Sequence, residues 1–448
     1  MIRSRLLRGC AALLCASVLA GPAWAQGGGA RIDTGDTCWV LLCTVLVLLM
    51  TVPGLALFYG GMVRKKNILA TMMQSFSICA LVTVLWIMFG YSLAYTNGNG
   101  WIGDGSRFFL NGLAEHWNEP FVLGAGSPGA VQTTIPESVF VMFEMAFAII
   151  TPAVVTGAFA DRMKFSALLV FMGLWSLVVY APIAHWVWSA TGFLSRMGVA
   201  DFAGGTVVEI NAGTAGLVCA LVLGRRLGLG QENMAPYNLA YAVVGASLLW
   251  VGWIGFNAGS ALGAGGRAGM AVIATQAAAA GATLAWTGAE WALRGKPSVL
   301  GAISGAVAGL VAITPAAGFV LPGPALLIGI AAGAICFWSA TTVKHWLGYD
   351  DSLDAWGVHG VGGILGMLAT GWFAYGPLTA TPEHPRGLAV GGFGLLGVQL
   401  VAIVATLLYS GAATYALLKV TDAVVGLRVE REEEREGLDI VLHGEQVF

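Results

Sequence analysis

The feature that most restricts the fold of this chain is a succession of apolar stretches, each long enough to cross a lipid bilayer. Hydrocarbon offers no water to backbone polar groups, so such a stretch crosses it as a helix of about 20 residues. Only 10% of the 448 residues are charged, against about 25% in soluble domains. The sequence therefore predicts an all-α polytopic membrane protein. Eleven transmembrane helices are predicted, at 36–62, 67–95, 136–160, 165–190, 203–224, 239–262, 268–293, 298–318, 322–346, 353–376 and 388–420.

The distribution of lysine and arginine predicts the orientation of these helices. Segments that follow the odd-numbered helices share one side of the membrane, and they carry ten basic residues: Arg64, Lys65, Lys66, Arg162, Lys164, Arg225, Arg226, Arg294, Lys296 and Lys344. The opposite side carries five: Arg31, Arg107, Arg196, Arg267 and Arg386. Because cytoplasmic loops are enriched in basic residues, the mature N-terminus is predicted outside and the C-terminus in the cytoplasm.

The first 25 residues have the features of a secretory signal peptide. Arg3, Arg5 and Arg8 form a positive region, and an apolar stretch follows. Residues 23–25 read Ala-Trp-Ala, the pattern of small residues at a cleavage site. The alternative is a first helix that is retained in the mature protein.

The rest of the chain divides into a membrane domain and a charged tail. Residues 26–420 are predicted to form the eleven-helix domain. Its longest outer loop, at about 96–135, is rich in glycine, asparagine and serine and is predicted to be an irregular cap. Residues 421–448 include VEREEEREGLDI, which is too charged to lie in the membrane. This tail is either simply solvated or a docking segment for a cytoplasmic partner.

Three pairs of short motifs recur, in the same order, in the two halves of the helical domain. They are V-[E/H]-x-x-x-G-x-x-G at 208–216 and 358–366, FYGG and FNAG at 58–61 and 256–259, and ITPA at 150–153 and 313–316. Helices one to five therefore correspond to helices six to ten. Since five is an odd number, the two halves are inverted, and transporters of this plan place functional residues near the membrane midplane.

Each copy of the first motif carries one ionisable residue. Glu209 lies eight residues after Asp201 and His359 eight residues after Asp351, so each lies about 12 Å from a helix end at about 1.5 Å per residue. Both approach the midplane of a core about 30 Å thick, where repeat symmetry brings them together. A buried carboxylate beside an imidazole can relay a proton. The alternative is a structural ion pair that joins two helices.

Several residues in the outer half of the helices have side chains suited to a small cation. Trp188 and Phe147 offer aromatic faces, and the Ser260 hydroxyl can accept a hydrogen bond, although ordinary packing explains each equally well. Asp201 is predicted to cap a helix and can also orient backbone carbonyls toward a cation. Glu144 either lines a pathway or bonds a neighbouring helix.

No pattern typical of a cofactor, nucleic-acid or catalytic site is found in the sequence. Cysteines of the mature chain lie in apolar stretches without the spacing of metal ligands. Basic tracts interleaved with aromatic residues, nucleophile–base sets and nucleotide-binding loops are not found either. We therefore expect no cofactor, no nucleic-acid partner and no enzymatic activity.

Long motifs, in order from about residue 36 to the tail, resemble the Amt branch of the Amt/Mep/Rh ammonium transporters. They include MTVPGLALFYGGMVRKKN, GAFADRMKFSA, PIAHWVW, DFAGGTVVEINAGTAGLV, GWIGFNAGSA, DDSLDAWGVHGVGGILG and VGLRVEREEEREGLD. The resemblance implies a protomer of eleven helices with an inverted five-helix repeat, in a homotrimer with one pore per subunit. It also implies a bacterial inner-membrane location, ammonium or ammonia as substrate, contact with lipid, and a PII-type signal protein as cytoplasmic partner.

The resemblance also implies roles for individual residues. Trp188, Phe147 and Ser260 match the external ammonium-recruitment site, and Asp201 matches the buried aspartate that supports it. Phe147 and Phe256 match the pair of phenyl rings that gates the pore below that site.

Two positions depart from the pattern of the family. His359 matches the second of two midpore histidines, but the first position, usually read in GGTVVH, is Glu209 here, as in some fungal members. A carboxylate at this position could stabilise any monovalent cation, which leaves the exclusion of K⁺ open. Glu144 stands where a glutamine is usual in close bacterial relatives.

The function that we expect is ammonium transport. NH₄⁺ would bind at the periplasmic vestibule and lose a proton, and NH₃ would pass while Glu209 and His359 relay the proton. One alternative is an ammonium sensor or transceptor with little flux. Another is an Rh-like channel for NH₃ or CO₂, which Trp188 and the Amt-type tail disfavour.

Overall fold

A computed structural model of the protein describes residues 31–379 and 386–447. The predicted signal peptide lies outside the described residues. Nine helices there are long and apolar enough to span a membrane: α1 (Thr34–Met62), α2 (Lys65–Tyr95), α3 (Glu137–Phe159), α4 (Phe165–Arg196, interrupted after Trp188), α5 (Gly205–Leu223), α6 (Leu239–Gly259), α7 (Gly266–Arg294), α9 (Pro322–Leu347) and α11 (Gly394–Val425). The shorter α8 (Val299–Ile313) and α10 (355–373) complete the eleven.

The helices lie close to their predicted places, and the protein is a multi-pass membrane protein. The largest difference is at the last helix, which was predicted at 388–420 and is found at Gly394–Val425. Gly391 has a φ of 88° and interrupts the helical path before it starts, and Gly426, with a φ of 71°, ends it. Glycine adopts these left-handed conformations without the steric cost that other residues meet.

The prediction of an irregular outer loop is wrong for part of that loop. Strands β1 (Pro120–Leu123) and β2 (Val131–Pro136) pair in antiparallel fashion. Alternate residues of β2, Thr133 and Ile135, are buried, which is the period of a strand with one covered face. The sequence analysis missed this short hairpin because the loop is rich in glycine. Gly124 lies in the turn between the two strands and not in a strand.

The inverted repeat is visible in the local backbone of α5 and α10. Each helix begins with a wide π-helical turn, Gly205–Ile210 in α5 and Ala355–Gly360 in α10, at the spacing of 150 residues seen in the motif. In both helices an aspartate precedes this turn and accepts hydrogen bonds from its first backbone N–H groups. Asp351 accepts from Ala355 N at 3.0 Å and from Trp356 N at 2.7 Å.

Two glycines allow α5 and α10 to cross in direct backbone contact. A Cβ atom on Gly213 would lie 2.2 Å from the backbone nitrogen of Gly360, and one on Gly363 would lie 2.8 Å from Cβ of Glu209. Approaches under 3.0 Å are essentially never seen for real Cβ atoms. The glycines of the repeated motif therefore fix the crossing that carries Glu209 toward α10.

The C-terminal tail packs against loops of the first repeat. It contains the short helices α12 (Arg431–Glu436) and α13 (Leu438–His443). Glu434, with 1% of its surface exposed, accepts a hydrogen bond from Leu227 N at 2.6 Å and pairs with Arg428 at 2.7 Å. Asp439 accepts hydrogen bonds from Leu69 N at 3.1 Å and Ala70 N at 2.8 Å near the start of α2.

Replacing Glu434 by alanine is expected to release the tail. The change leaves Leu227 N–H and Arg428 without their partner, which should weaken the docking of the tail by about 2 kcal/mol or more. We expect trypsin to cleave the folded, detergent-solubilised variant at Arg428 or Arg431 at least ten times faster than the unchanged protein. The matched control is Glu432→Ala, an exposed glutamate on the same helix, and equal cleavage of the two variants would contradict this role.

Candidate functional site

Aromatic side chains of α3, α4 and α6 meet in the half of the molecule that the lysine and arginine distribution predicts to be outside. The ring of Phe147 lies 4.2 Å from that of Phe256, stacked at 27°, and 5.9 Å from that of Trp188, edge to face at 88°. Both phenyl rings are buried, whereas Trp188 is half-buried. We call Trp188, Phe147 and Phe256 the outer aromatic cluster.

Ser260 directly follows α6, one turn beyond Phe256. Its hydroxyl donates a hydrogen bond to the Phe256 carbonyl at 2.9 Å. The proton of the hydroxyl is thereby directed into the helix, and its oxygen lone pairs are left to accept a hydrogen bond.

Asp201 connects the first turn of α5 to the outer aromatic cluster. Its carboxylate accepts hydrogen bonds from the backbone N–H groups of Gly204, Gly205 and Thr206 at 2.6–2.8 Å. Its backbone carbonyl accepts a hydrogen bond from Trp188 Nε1 at 3.0 Å. One residue therefore caps the helix and holds the indole in place.

Glu209 and His359 are in direct contact. Glu209 Oε2 lies 2.7 Å from His359 Nδ1, and the two residues are 1% and 5% exposed. The other carboxylate oxygen, Oε1, is buried and has no hydrogen-bond partner within the described segments. A buried polar atom in this state has capacity to bond a small guest molecule.

A narrow cavity joins this pair to the outer aromatic cluster. It has room for about one water molecule. Apart from Glu209 and His359, its walls are apolar or aromatic side chains of both repeats: Met50, Leu55, Phe58, Ile150, Val154, Val208, Leu249, Trp253, Phe256 and Val307. Such a wall gives no oxygen ligands to replace the hydration shell of an ion.

On the other side of His359 the path widens into a vestibule lined by Tyr59, Arg226 and Asp354. Arg226 Nη2 pairs with Asp350 Oδ1 at 2.8 Å in the adjacent loop. Burial raises the pKa of Asp350, but the hydrogen bonds and positive charge of Arg226 outweigh it and hold that pKa below its usual value. Burial and the neighbouring Asp354 carboxylate raise the pKa of Asp351 to about 6. Ionisable side chains thus line the wide end of the path, in contrast to its apolar middle.

The family described as the Ammonium Transporter Family matches residues 38–448 of this sequence. The chain belongs to this family. The ammonium transporter of Bacillus subtilis is 47% identical over 417 residues, which cover 93% of this chain and 99% of that protein. That of Aquifex aeolicus is 48% identical over 426 residues, covering 95% and 96% of the two chains. The crystal structure of Saccharomyces cerevisiae Mep2 superposes with a TM-score of 0.81 at 35% identity and covers 90% of this chain and 89% of Mep2.

In this member of the Ammonium Transporter Family, the structure brings together most of the residues singled out in the sequence, and Ser260 is joined to them through its hydrogen bond to the Phe256 carbonyl. Trp188, Phe147 and Phe256 form one cluster, and Asp201 is bonded to its tryptophan. Sequence analysis missed Phe58, which lines the cavity from the first repeat. The paired motifs FYGG and FNAG contained the signal, since they align Phe58 with Phe256.

Glu144 in α3 bonds a neighbouring helix. Its Oε2 accepts a hydrogen bond from the hydroxyl of Tyr95, in α2, at 2.5 Å. The residue does not line the narrow cavity. Tyr95 was not identified from the sequence, because nothing in an apolar helix marks which tyrosine meets a carboxylate of another helix.

Proposed function

We propose that this protein transports ammonium. NH₄⁺ binds at the outer aromatic cluster and is deprotonated, NH₃ crosses the narrow cavity, and the proton passes through Glu209 and His359. The observation that carries this proposal is the 2.7 Å contact between these two residues in a cavity with otherwise apolar walls. Membership of the Ammonium Transporter Family supports the choice of substrate.

Recruitment of the cation rests on Trp188, Phe147 and Ser260. A cation over an aromatic face gains about 0.5–2 kcal/mol, and tryptophan is the best of the aromatic side chains. The Ser260 oxygen accepts an N–H hydrogen bond, which selects a cation that carries such donors. Asp201 supports the site through its bond to Trp188.

Passage below the cluster favours the neutral species. The phenyl rings of Phe147 and Phe256 are stacked at 4.2 Å, so a ring must turn aside to admit a molecule. An ion would then leave its water for an apolar wall, which is costly without coordinating oxygens. NH₃ carries no charge and avoids most of that cost.

The proton travels separately from the ammonia. Deprotonation converts NH₄⁺ into NH₃ and H⁺, so the arrival of both inside equals the transfer of one positive charge. Glu209 Oε1 is free to accept a proton, and the Oε2–Nδ1 contact passes it to His359 and the vestibule beyond. K⁺ has no proton to release and is excluded by the same wall.

The proposal includes the setting of the protein. Residues 1–25 act as a signal peptide, 26–420 form the transporter domain, and 421–448 form a cytoplasmic regulatory tail. The transporter lies in a bacterial inner membrane as a homotrimer, with its mature N-terminus in the periplasm. A PII-type signal protein binds its cytoplasmic face, where the tail packs.

The test is the current evoked by ammonium in proteoliposomes adsorbed to a solid-supported membrane. We expect an inward positive current that saturates with ammonium chloride and is not produced by equal potassium chloride, with protein-free liposomes as the control. Internal pH is recorded in the same vesicles with an enclosed dye. Alkalinisation without current would mean that NH₃ crosses without its proton, and ammonium binding without either signal would contradict transport.

A further inference from the structure

Glu144 is a buried carboxyl group of the outer half that the proposed mechanism does not use. Glu144 lies three residues before Phe147 in α3, on its outer side, about 4.5 Å along the helix axis. Residues three apart on a helix have Cβ atoms about 5–6 Å apart on one face. Glu144 is therefore at the level of the outer aromatic cluster, above the stacked phenyl rings.

The hydrogen bonding of Glu144 is incomplete. Oε2 accepts from the Tyr95 hydroxyl, whereas Oε1 has no partner among residues 31–379 and 386–447 and is not fully enclosed. The residue keeps 8% of its surface accessible. Glu144 thus keeps unused hydrogen-bonding capacity at the contact between α3 and α2.

The same site borders the outer solution. Tyr95 lines a polar pocket of the outer loop, which also contains Asp104 and Glu137. Tyr95 also bonds Glu144 Oε2, so one side chain contacts both this pocket and the Glu144 carboxyl.

We propose that Glu144 is a further specificity-determining residue, a carboxylate that draws small monovalent cations with N–H donors to the outer aromatic cluster. This inference rests on the proposed function. Burial opposes charge on an isolated carboxyl group, and a bound ammonium ion supplies the opposite charge that offsets this cost. Tyr95 fixes one oxygen, so the other is held ready for the cation.

The test compares Glu144→Gln with the unchanged protein in the current assay with ammonium chloride. Glutamine keeps the shape and an acceptor for Tyr95 but removes the charge. We expect the concentration for half-maximal current to rise about tenfold, equal to about 1.4 kcal/mol, with the maximal current nearly unchanged. Glu144→Asp, which restores a carboxylate, should recover most of the affinity. The matched control is Glu290→Gln, a buried carboxylate at the far end of α7, which should leave the affinity unchanged.

A structural role for the Tyr95–Glu144 bond predicts a different pattern. Tyr95→Phe removes that bond and keeps the charge, so under our proposal its affinity stays within about twofold of the unchanged protein. The inference is overturned if Glu144→Gln and the unchanged protein have equal affinity for ammonium. It is also overturned if Tyr95→Phe loses as much affinity for ammonium as Glu144→Gln does. If Glu144→Gln does not insert, the pair Glu144→Asp and Glu144→Asn decides the same question. Current that is absent from the unchanged protein would count against the proposed function, whereas unaltered current in Glu144→Gln counts against Glu144 alone.

Discussion

Ammonium current should fall about a hundredfold when Glu209 is replaced by glutamine, since a positioned acid–base group contributes about 10²–10⁴-fold. Glutamine preserves the size of the side chain and a bond to His359 but cannot take up and release a proton. The concentration dependence of the residual current should change little, because the outer aromatic cluster is untouched. Ammonium and K⁺ currents between pH 5 and pH 8, about the range in which histidine titrates, measure both effects.

The matched variant is Glu209→His, which restores the pair usual in the family. It should retain transport, with a pH dependence that differs from that of the unchanged protein because an imidazole replaces the carboxylate. Its exclusion of K⁺ should be equal or better, since a carboxylate attracts any monovalent cation. Identical pH profiles for the unchanged protein, Glu209→Gln and Glu209→His would reduce Glu209 to a structural polar residue.

Gly213→Ala is expected to destabilise the fold by about 3 kcal/mol, at the upper end of the usual cost of overpacking. The new methyl group would lie 2.2 Å from the backbone nitrogen of Gly360. Backbone atoms of a packed helix cannot move aside as the end of a flexible side chain can, so α5 and α10 must separate. Fluorescence-detected gel filtration of the solubilised protein after heating would report the loss as a lower apparent melting temperature.

Gly288→Ala provides the control for this comparison. Gly288 lies in α7, and a Cβ atom there would meet no atom within 4 Å. Alanine is favoured over glycine inside a helix by about 0.5–1 kcal/mol, so this variant should be unchanged or slightly more stable. Similar melting of the two variants would show that the crossing of α5 and α10 does not depend on Gly213.

The sequence predicted the helices and the meeting of Glu209 with His359 for two separate reasons. A long apolar stretch satisfies the hydrogen bonds of its backbone in a bilayer by forming a helix. A motif that recurs in two inverted halves places its equivalent residues symmetrically about one axis. Neither reason applies to the hairpin Pro120–Leu123 and Val131–Pro136, whose strands are too short to show a clear period. Neither applies to the bond between Tyr95 and Glu144, because contacts between helices depend on rotations that a single sequence leaves undetermined.

The outer aromatic cluster could be predicted from the sequence only in part. Residue types alone left Trp188, Phe147 and Ser260 equally compatible with ordinary packing, and only the resemblance to a family grouped them. The bond from Trp188 to the Asp201 carbonyl joins residues that are 13 positions apart. It forms because α4 is interrupted after Trp188 and the chain turns back toward α5, a path that loop composition does not reveal.

The matching wide turns at the start of α5 and α10 restrict how this sequence can change in length. Each residue of a helix adds about 100° of rotation, so a deletion between Asp201 and Glu209 would swing the carboxylate to another face and away from His359. An insertion before His359 would likewise rotate the imidazole away from Glu209. The spacing from each aspartate to its ionisable partner is therefore held by geometry on both sides of the crossing.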